Sequence, residues 1–313
     1  MDRQLQIFKN QQPERIIMAE RIGFIGLGIM GEPMCRNLMK AGFTCKVHTR
    51  TKSKADQLLV EGAVWAETPK AIAEQSDVII TIVTDTPDVE KVILGEDGIL
   101  EAAVSGSVVI DMSTISPSST QDMARALEEK GVDMLDAPVS GGDAGAIAGT
   151  LSIMVGGKQS VFDRCLPVFE GMGKNINLIG GNGAGQLTKL CNQVAVSIAN
   201  LAMAEALMLG AKADLDLEKM LAAISGGAAG SWQLSNLAPR IIKRDFDPGF
   251  MVKLQQKDLR LVLSAASELG LGLPGVSLVH QLFNTIEAAG EGDEGTQALV
   301  KSLERMAGVE VKG

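Results

Sequence analysis

Tyrosine is absent from the chain, so dehydrogenase chemistry that depends on a tyrosine acid is excluded. Histidine occurs only as His48 and His280. That excludes multi-histidine metal sites and argues against a Ser-His-Asp triad, and no metal is expected. Cysteine is limited to Cys35, Cys45, Cys165 and Cys191, with no C-x-x-C spacing; these read as buried thiols of a reducing compartment. Positive charge is in deficit, with 29 Lys plus Arg against 38 Asp plus Glu and a net charge of −9. An overall nucleic-acid-binding surface is therefore excluded, although a local basic pocket is not. The opening MDRQLQIFKNQQPERII has mixed charge and no apolar core, so it is not a secretory signal, and residues 1–19 are expected to be a flexible extension. The most apolar stretch, Val194 to Ala211, is interrupted by Ser197, Asn200 and Glu205, which favours a buried helix over a membrane span. The expectation is a cytoplasmic protein with no membrane and no nucleic-acid partner.

What is present points to two domains. The chain has 313 residues and is 46% hydrophobic, ample for sizeable cores. From Arg21 to about Ile179, runs rich in Ile and Val (RIGFIG, CKVHT, DVIITIV, SVVIDM) alternate with amphipathic segments such as MCRNLMKAG and SSTQDMARALEEKG. This alternation predicts βαβ units and a parallel sheet. After GGNGAG, Gly180 to Gly185, helical patterns dominate and strand-like clusters nearly vanish. The expected organisation is an α/β Rossmann-type domain over 20–181 followed by an all-helical domain over 182–313.

Gly26-Leu27-Gly28-Ile29-Met30-Gly31 directly follows the first strand-like run. At such a junction the first glycine permits a tight turn and the second lets a pyrophosphate approach the backbone. The third allows close packing of a helix expected from about Ile29. Elsewhere the same pattern would be an ordinary glycine-rich turn. After the second strand, where an acid would hold the ribose of NAD, the chain reads VHTRTKSK without a carboxylate. Arg50, Thr51 and Lys54 suit a 2′-phosphate, so NADP(H) is preferred and NAD(H) remains possible; the bland alternative is a solvated basic loop. Ser140-Gly141-Gly142 of DAPVSGG offers consecutive backbone N–H groups and a hydroxyl, either a carboxylate cradle or simply a turn.

The stretch GQLTKLCNQ opens the helical half. On a helix, Gly185, Lys189, Asn192 and Gln193 share one face. The glycine would leave room beside the ammonium, which could protonate a carbonyl oxygen while an amide orients it. The plain alternative is a surface lysine among polar neighbours.

Taken in order, GFIGLGIMG, DMST, DAPVSGG, GTLSIMVGG, GAGQLTKLCNQ and KDLRL resemble the β-hydroxyacid dehydrogenase family over residues 20–310. The resemblance implies a Rossmann domain followed by a helical domain, with the site between them. It implies that Lys189 is catalytic, that Ser140, Gly141, Gly142, Asn192 and Gln193 bind substrate, and that Val83 and Thr84 line the cofactor. Thr114 would stand near the nicotinamide, with Lys257 reaching the cofactor side from the helical domain. The implied activity is the interconversion of a small carboxylate-bearing semialdehyde and its β-hydroxyacid, by a homodimer or homotetramer. Tartronate semialdehyde leads as substrate; 3-hydroxyisobutyrate, glyoxylate and succinic semialdehyde chemistry are alternatives. A scaffold that keeps the fold without catalysis would have lost the lysine.

Overall fold

The computed structural model describes residues 20–313; the expected extension over 1–19 lies outside the described residues. Among the described residues nine strands form one sheet: β1 Ile22–Ile25, β2 Cys45–His48, β3 Val64–Trp65, β4 Val78–Thr81, β5 Val108–Asp111, β6 Asp133–Asp136, β7 Val139–Ser140, β8 Leu151–Gly156 and β9 Gly173–Gly180. Their order is β3-β2-β1-β4-β5-β6-β8-β7, with β9 also pairing β8. The strands from β3 through β6 are all parallel, in the 3-2-1-4-5-6 order of a dinucleotide-binding sheet.

The sheet is parallel from β3 through β6, as expected, and takes in antiparallel pairs at one edge. β8 runs antiparallel to both β6 and β7. Gly141 and Gly142, at φ +136° and +64°, turn the chain out of β7 into a short helix, Gly142–Ala148, and β8 then returns against it.

Strand alternation divides the core into two layers. Val78, Ile80, Val108 and Ile110 join Phe24, Met34 and Leu38 on one side of the sheet. Ile79 and Val109 join Ile72, Met123 and Leu127 on the other. Both layers are apolar, which is why these strands read as continuous hydrophobic runs. Register pairs Ile25 with His48 and Thr81, Thr81 with Asp111, and Asp111 with Asp136. The carboxyl ends of five strands are therefore level, and the loops after them emerge along one edge. The order of strands reverses between β1 and β4, where open sheets of this kind bind ligands.

The sheet ends at Gly180, and among the described residues from Ala184 on the regular elements are helices, with one isolated bridge, Met251 with Gly295, in the loops between them. The long helix Ala184–Lys212 is the centre of this half, packed by helices Val252–Glu268, Pro274–Ala288 and Leu299–Ala307. It is long and apolar enough to cross a membrane by composition alone. Its buried stripe, however, carries Gln186, Lys189, Gln193, Ser197 and Asn200 as well as Leu190, Leu201 and Leu207. A polar seam thus runs through the helical core.

Candidate active site

The three glycines after β1 are required for three different reasons. Gly26 sits at φ +102°, and a Cβ there would stand 2.2 Å from the Ile82 carbonyl oxygen; the turn lies tight against β4. At Gly31 a Cβ would lie 1.9 Å from the Gly26 oxygen, so the helix start packs on the turn. Gly28 is exposed, and a Cβ there would meet nothing within 4 Å. Two glycines serve the protein's own backbone, and the middle one leaves open space of the kind phosphate oxygens need. A turn with that open side, leading straight into the helix that starts at Gly31, fits a dinucleotide pyrophosphate. The first helical residue is Gly31 rather than Ile29, because Gly28, Ile29 and Met30 form the turn. Leu27 is buried below the loop, Ile29 is exposed and Met30 is half-buried.

Beyond β2, Arg50, Thr51 and Lys54 are all exposed. Thr51 precedes a single 3-10 turn, Lys52–Ala55, whose Lys54 N–H donates to the Thr51 carbonyl at 3.0 Å. That turn gathers the three residues at one corner of the sheet edge. Val83 and Thr84 follow the end of β4, half-buried and exposed respectively, and the Val83 N–H donates to Ser113 Oγ at 2.9 Å.

Lys189 lies on the long helix with 7% exposure. Burial lowers its pKa from the usual lysine value of 10.5; the Asp258 carboxylate opposes that shift and the Lys257 cation adds to it. The surface-lysine alternative is therefore set aside. One turn on, the Asn192 Nδ2 donates to Gln193 Oε1 at 2.8 Å, and Gln193 Nε2 donates to Asp258 Oδ2 at 2.6 Å. Gln193 thus spends both ends of its amide inside the protein, holding Asn192 and Asp258, while Asn192 is only half-buried. Lys257 donates to the Thr114 carbonyl at 2.6 Å. It also lies 2.8 Å from Asp258 Oδ1, in ionic contact without hydrogen-bond alignment.

Gly185 has a role other than the expected one. A Cβ there would stand 2.4 Å from the Met154 carbonyl and 2.7 Å from that of Asp136. Its bareness lets the long helix press onto β8 and β6; it does not clear room beside the ammonium. Gly141 is similar: its missing Cβ would face the Leu151 side chain at 3.2 Å, whereas the open side of Gly142 looks toward the Gly249 carbonyl at 3.8 Å. The Ser140–Gly142 turn thus faces the 244–249 loop of the helical half.

Sequence reasoning missed Asp111, Asp136, Gln186 and Asp258. Asp136 ends β6 and accepts N–H bonds from Gly183 and Gln186 at 2.8 and 2.9 Å, pinning the first turn of the long helix. Burial pushes the Asp136 carboxyl pKa up, and those N–H donors pull it back. The hint in the sequence was that each stood inside a motif: Asp111 in DMST, Asp136 in DAPVSGG, Gln186 in GAGQLTKLCNQ and Asp258 in KDLRL.

Residues 21–180 match the family described as the NAD binding domain of 6-phosphogluconate dehydrogenase. Residues 183–303 match that described as NAD-binding of NADP-dependent 3-hydroxyisobutyrate dehydrogenase. The 2-hydroxy-3-oxopropionate reductase of Escherichia coli is 49% identical over 287 residues, covering 92% of this chain and 98% of the relative. A probable 3-hydroxyisobutyrate dehydrogenase-like protein of Arabidopsis thaliana is 46% identical, covering 93% and 87%. The Mycobacterium tuberculosis 3-hydroxyisobutyrate dehydrogenase, solved with L-serine, superposes with a TM-score of 0.84 at 32% identity, covering 91% and 99%. With these matches along its length and a glycine loop shaped for a dinucleotide, the chain belongs to the β-hydroxyacid dehydrogenase family, as an NAD(P)-dependent oxidoreductase.

Proposed function

We propose that the protein is an NADPH-preferring reductase of tartronate semialdehyde (2-hydroxy-3-oxopropionate), which also runs the reverse oxidation. The observation that carries this reading is Lys189, a buried lysine whose charged form is disfavoured by burial and whose helix is pinned to the sheet edge that bears the glycine loop. A dinucleotide would be held by Gly26, Leu27, Gly28, Ile29, Met30 and Gly31 at its pyrophosphate, by Arg50, Thr51 and Lys54 at a 2′-phosphate, and by Val83, Thr84 and Thr114 along its length. When bound it supplies the hydride.

The chain's own residues do the rest. Backbone N–H groups and the hydroxyl of Ser140, Gly141 and Gly142 take the substrate carboxylate, and Asn192, oriented by Gln193, holds the reacting end. Lys189 stabilises the negative charge that develops on the carbonyl oxygen and protonates it. In oxidation the same nitrogen must be neutral to accept the alcohol proton, and burial favours that form.

Initial rates with NADPH and NADH test the reading, using tartronate, methylmalonate and succinic semialdehydes, glyoxylate, and the corresponding alcohols. Tartronate semialdehyde with NADPH should give the highest kcat/KM. A higher value for methylmalonate semialdehyde would favour a 3-hydroxyisobutyrate dehydrogenase, the reading that the names of the Arabidopsis and Mycobacterium relatives support. An uncharged aldehyde reacting equally well would remove the carboxylate cradle.

A further inference from the structure

Gln186 is fully buried, one turn before Lys189 on the same face of the long helix. Its side chain reaches across to the loop after β5. Gln186 Nε2 donates to the Ser113 carbonyl at 2.8 Å, and its Oε1 accepts the Ile115 N–H at 3.1 Å. The residue between them, Thr114, has its carbonyl taken by Lys257. Three consecutive residues of this loop are thus held from the helical half, two of them by a single amide.

The anchorage beneath Gln186 is equally specific. Its own N–H is bonded to Asp136 Oδ2, and the bare Cα of Gly185 beside it is pressed on the backbone of β6 and β8. The helix can neither slide nor rotate without breaking these contacts. Lys189 lies three residues on, about 4.5 Å along the axis. On the sheet side, Ser113 Oγ accepts the Val83 N–H and the Ser113 N–H donates to Asp111, so the loop is tied to β4 and β5 as well.

We propose that Gln186 is a positioning residue: its amide sets the distance between the Ser113–Ile115 loop, which bears on the nicotinamide, and the helix that carries the Lys189 proton donor. The proposal rests on the reading of Lys189 and Thr114 given above. A hydride and a proton must reach adjacent atoms of one carbonyl, so an error of about 1 Å between loop and helix costs roughly a hundredfold in rate. A glutamine suits this place because the loop offers one acceptor and one donor two residues apart, and a primary amide presents the complementary pair.

Gln186→Met keeps the length and removes both bonds. Its kcat should fall at least tenfold, while KM for the aldehyde and the NADPH dissociation constant, read by cofactor fluorescence, stay within about threefold. Hydrogen–deuterium exchange of the peptide containing Ile115 should rise, a readout independent of turnover. Gln186→Glu is the discriminating variant. Ionised, it cannot donate to the Ser113 carbonyl; protonated, it reproduces the amide's donor and acceptor. The titratable groups around it are Asp136 and Asp111, which when charged favour the protonated form as burial does, and Lys189 and Lys257, which when charged oppose it. The activity of Gln186→Glu relative to wild type should therefore climb as pH falls from 8 to 6.

A Gln186→Met enzyme with wild-type kcat, or a loss confined to NADPH affinity, would overturn the proposal. So would a Gln186→Glu profile parallel to wild type, which decides the matter even if the methionine variant does not fold. Lys189→Ala, assayed alongside, separates the two failures. If it is inactive while Gln186→Met is fully active, only the positioning role is lost. If it is fully active, the proton-donor reading falls instead, and the positioning role that rests on it falls with it.

Discussion

At the carboxyl edge of the sheet beyond β2, Arg50, Thr51 and Lys54 stand in solvent. Their neighbour Lys52 is paired with Glu67 at 3.3 Å, whereas Arg50 and Lys54 make no ion pair among the described residues. At the opposite end, Lys189, Gln193, Lys257 and Asp258 are each at most 9% exposed, and Asp258 accepts from Gln193 and pairs with Lys257. The first end consists of water-screened cations without a built-in counter-charge among the described residues. The second is built before any ligand arrives, with charges in a poorly solvated interior where each interaction is strong and each unpaired group is costly. In the proposed function the first end serves cofactor choice and the second chemistry, and only the second should cost the fold stability.

The sharpest way to break this contrast is at Lys189. Lys189→Ala should lower kcat by about 10²–10⁴-fold, the span of a lost general acid, with NADPH affinity nearly intact. Lys189→Arg should not restore oxidation, because a guanidinium does not deprotonate in the accessible range. Burial lowers the lysine pKa, so the charged form is disfavoured on folding and its cost is greatest below the usual value of 10.5. Lys189→Met should therefore raise the thermal midpoint at pH 7, with the gain shrinking toward alkaline pH. A fully active Lys189→Ala enzyme would place the proton donor elsewhere.

Asp111 extends the contrast to pH. It is fully buried, accepts bonds from Thr81 Oγ1 and the Ser113 N–H, and its Oδ2 has no partner among the described residues. Burial, with Asp136 adding to it, pushes its pKa from 3.8 up to about 7, against the pull of Ser113 and Thr81. The folded state thus holds a proton that the unfolded chain releases. The associated stability is complete below about pH 4, is lost as pH rises to about 7, and changes no further above that. Asp111→Asn, which mimics the protonated form, should flatten this slope and stabilise the protein at pH 8 by up to about 4 kcal/mol. Urea midpoints at pH 4.5, 6 and 8 would show it; a wild-type curve as flat as the variant's would dismiss the idea.

The same division separates what the sequence disclosed from what it hid. Glycine spacing, apolar strand runs and the helical phase of Lys189 and Asn192 are local patterns, legible within a few residues. The contacts that finish the site are remote: Asp136 to Gln186 spans 50 residues, Gln193 to Asp258 spans 65 and Gln186 to Ile115 spans 71. No periodicity encodes such pairs. Gly185 and Gly141 were visible as glycines, but their neighbours, Met154 and Leu151, come from a strand whose antiparallel pairing with β6 and β7 a parallel pattern does not foreshadow.

Arg50 tests the exposed end. Arg50→Ala should erode the preference for NADPH over NADH by roughly tenfold, the worth of one charge-assisted contact to phosphate. Because the guanidinium is solvated, that loss should itself shrink in high salt, while the Lys189 effect should not. Equal efficiency with both cofactors in the wild type, untouched by the substitution, would mean that these cations are only a solvated corner.

The smallest effect is expected at Arg260, and there the contrast is tightest, because one helix supplies both kinds of contact. Lys257 and Arg260 stand three residues apart on Val252–Glu268, and both reach across to the Rossmann half. Lys257, its side chain 11% exposed, bonds to the Thr114 carbonyl. Arg260, its side chain 61% exposed, pairs with Asp85 Oδ2 at 2.5 Å. An exposed pair of this kind is worth about 0–1 kcal/mol, since water screens it and two side chains must be ordered to form it. Arg260 is the partner to remove, because Asp85 Oδ1 also accepts the Thr86 N–H at the start of the next helix, and losing that cap would blur the result. Arg260→Ala should leave kcat within about twofold, and any shift in the thermal midpoint should fade in high salt. Lys257→Ala, which strips Asp258 of its buried counter-charge and frees the Thr114 carbonyl, should cost far more in both. If Arg260→Ala were as damaging as Lys257→Ala, the exposed pair would be what holds the two halves together, and burial would not be what separates the two ends.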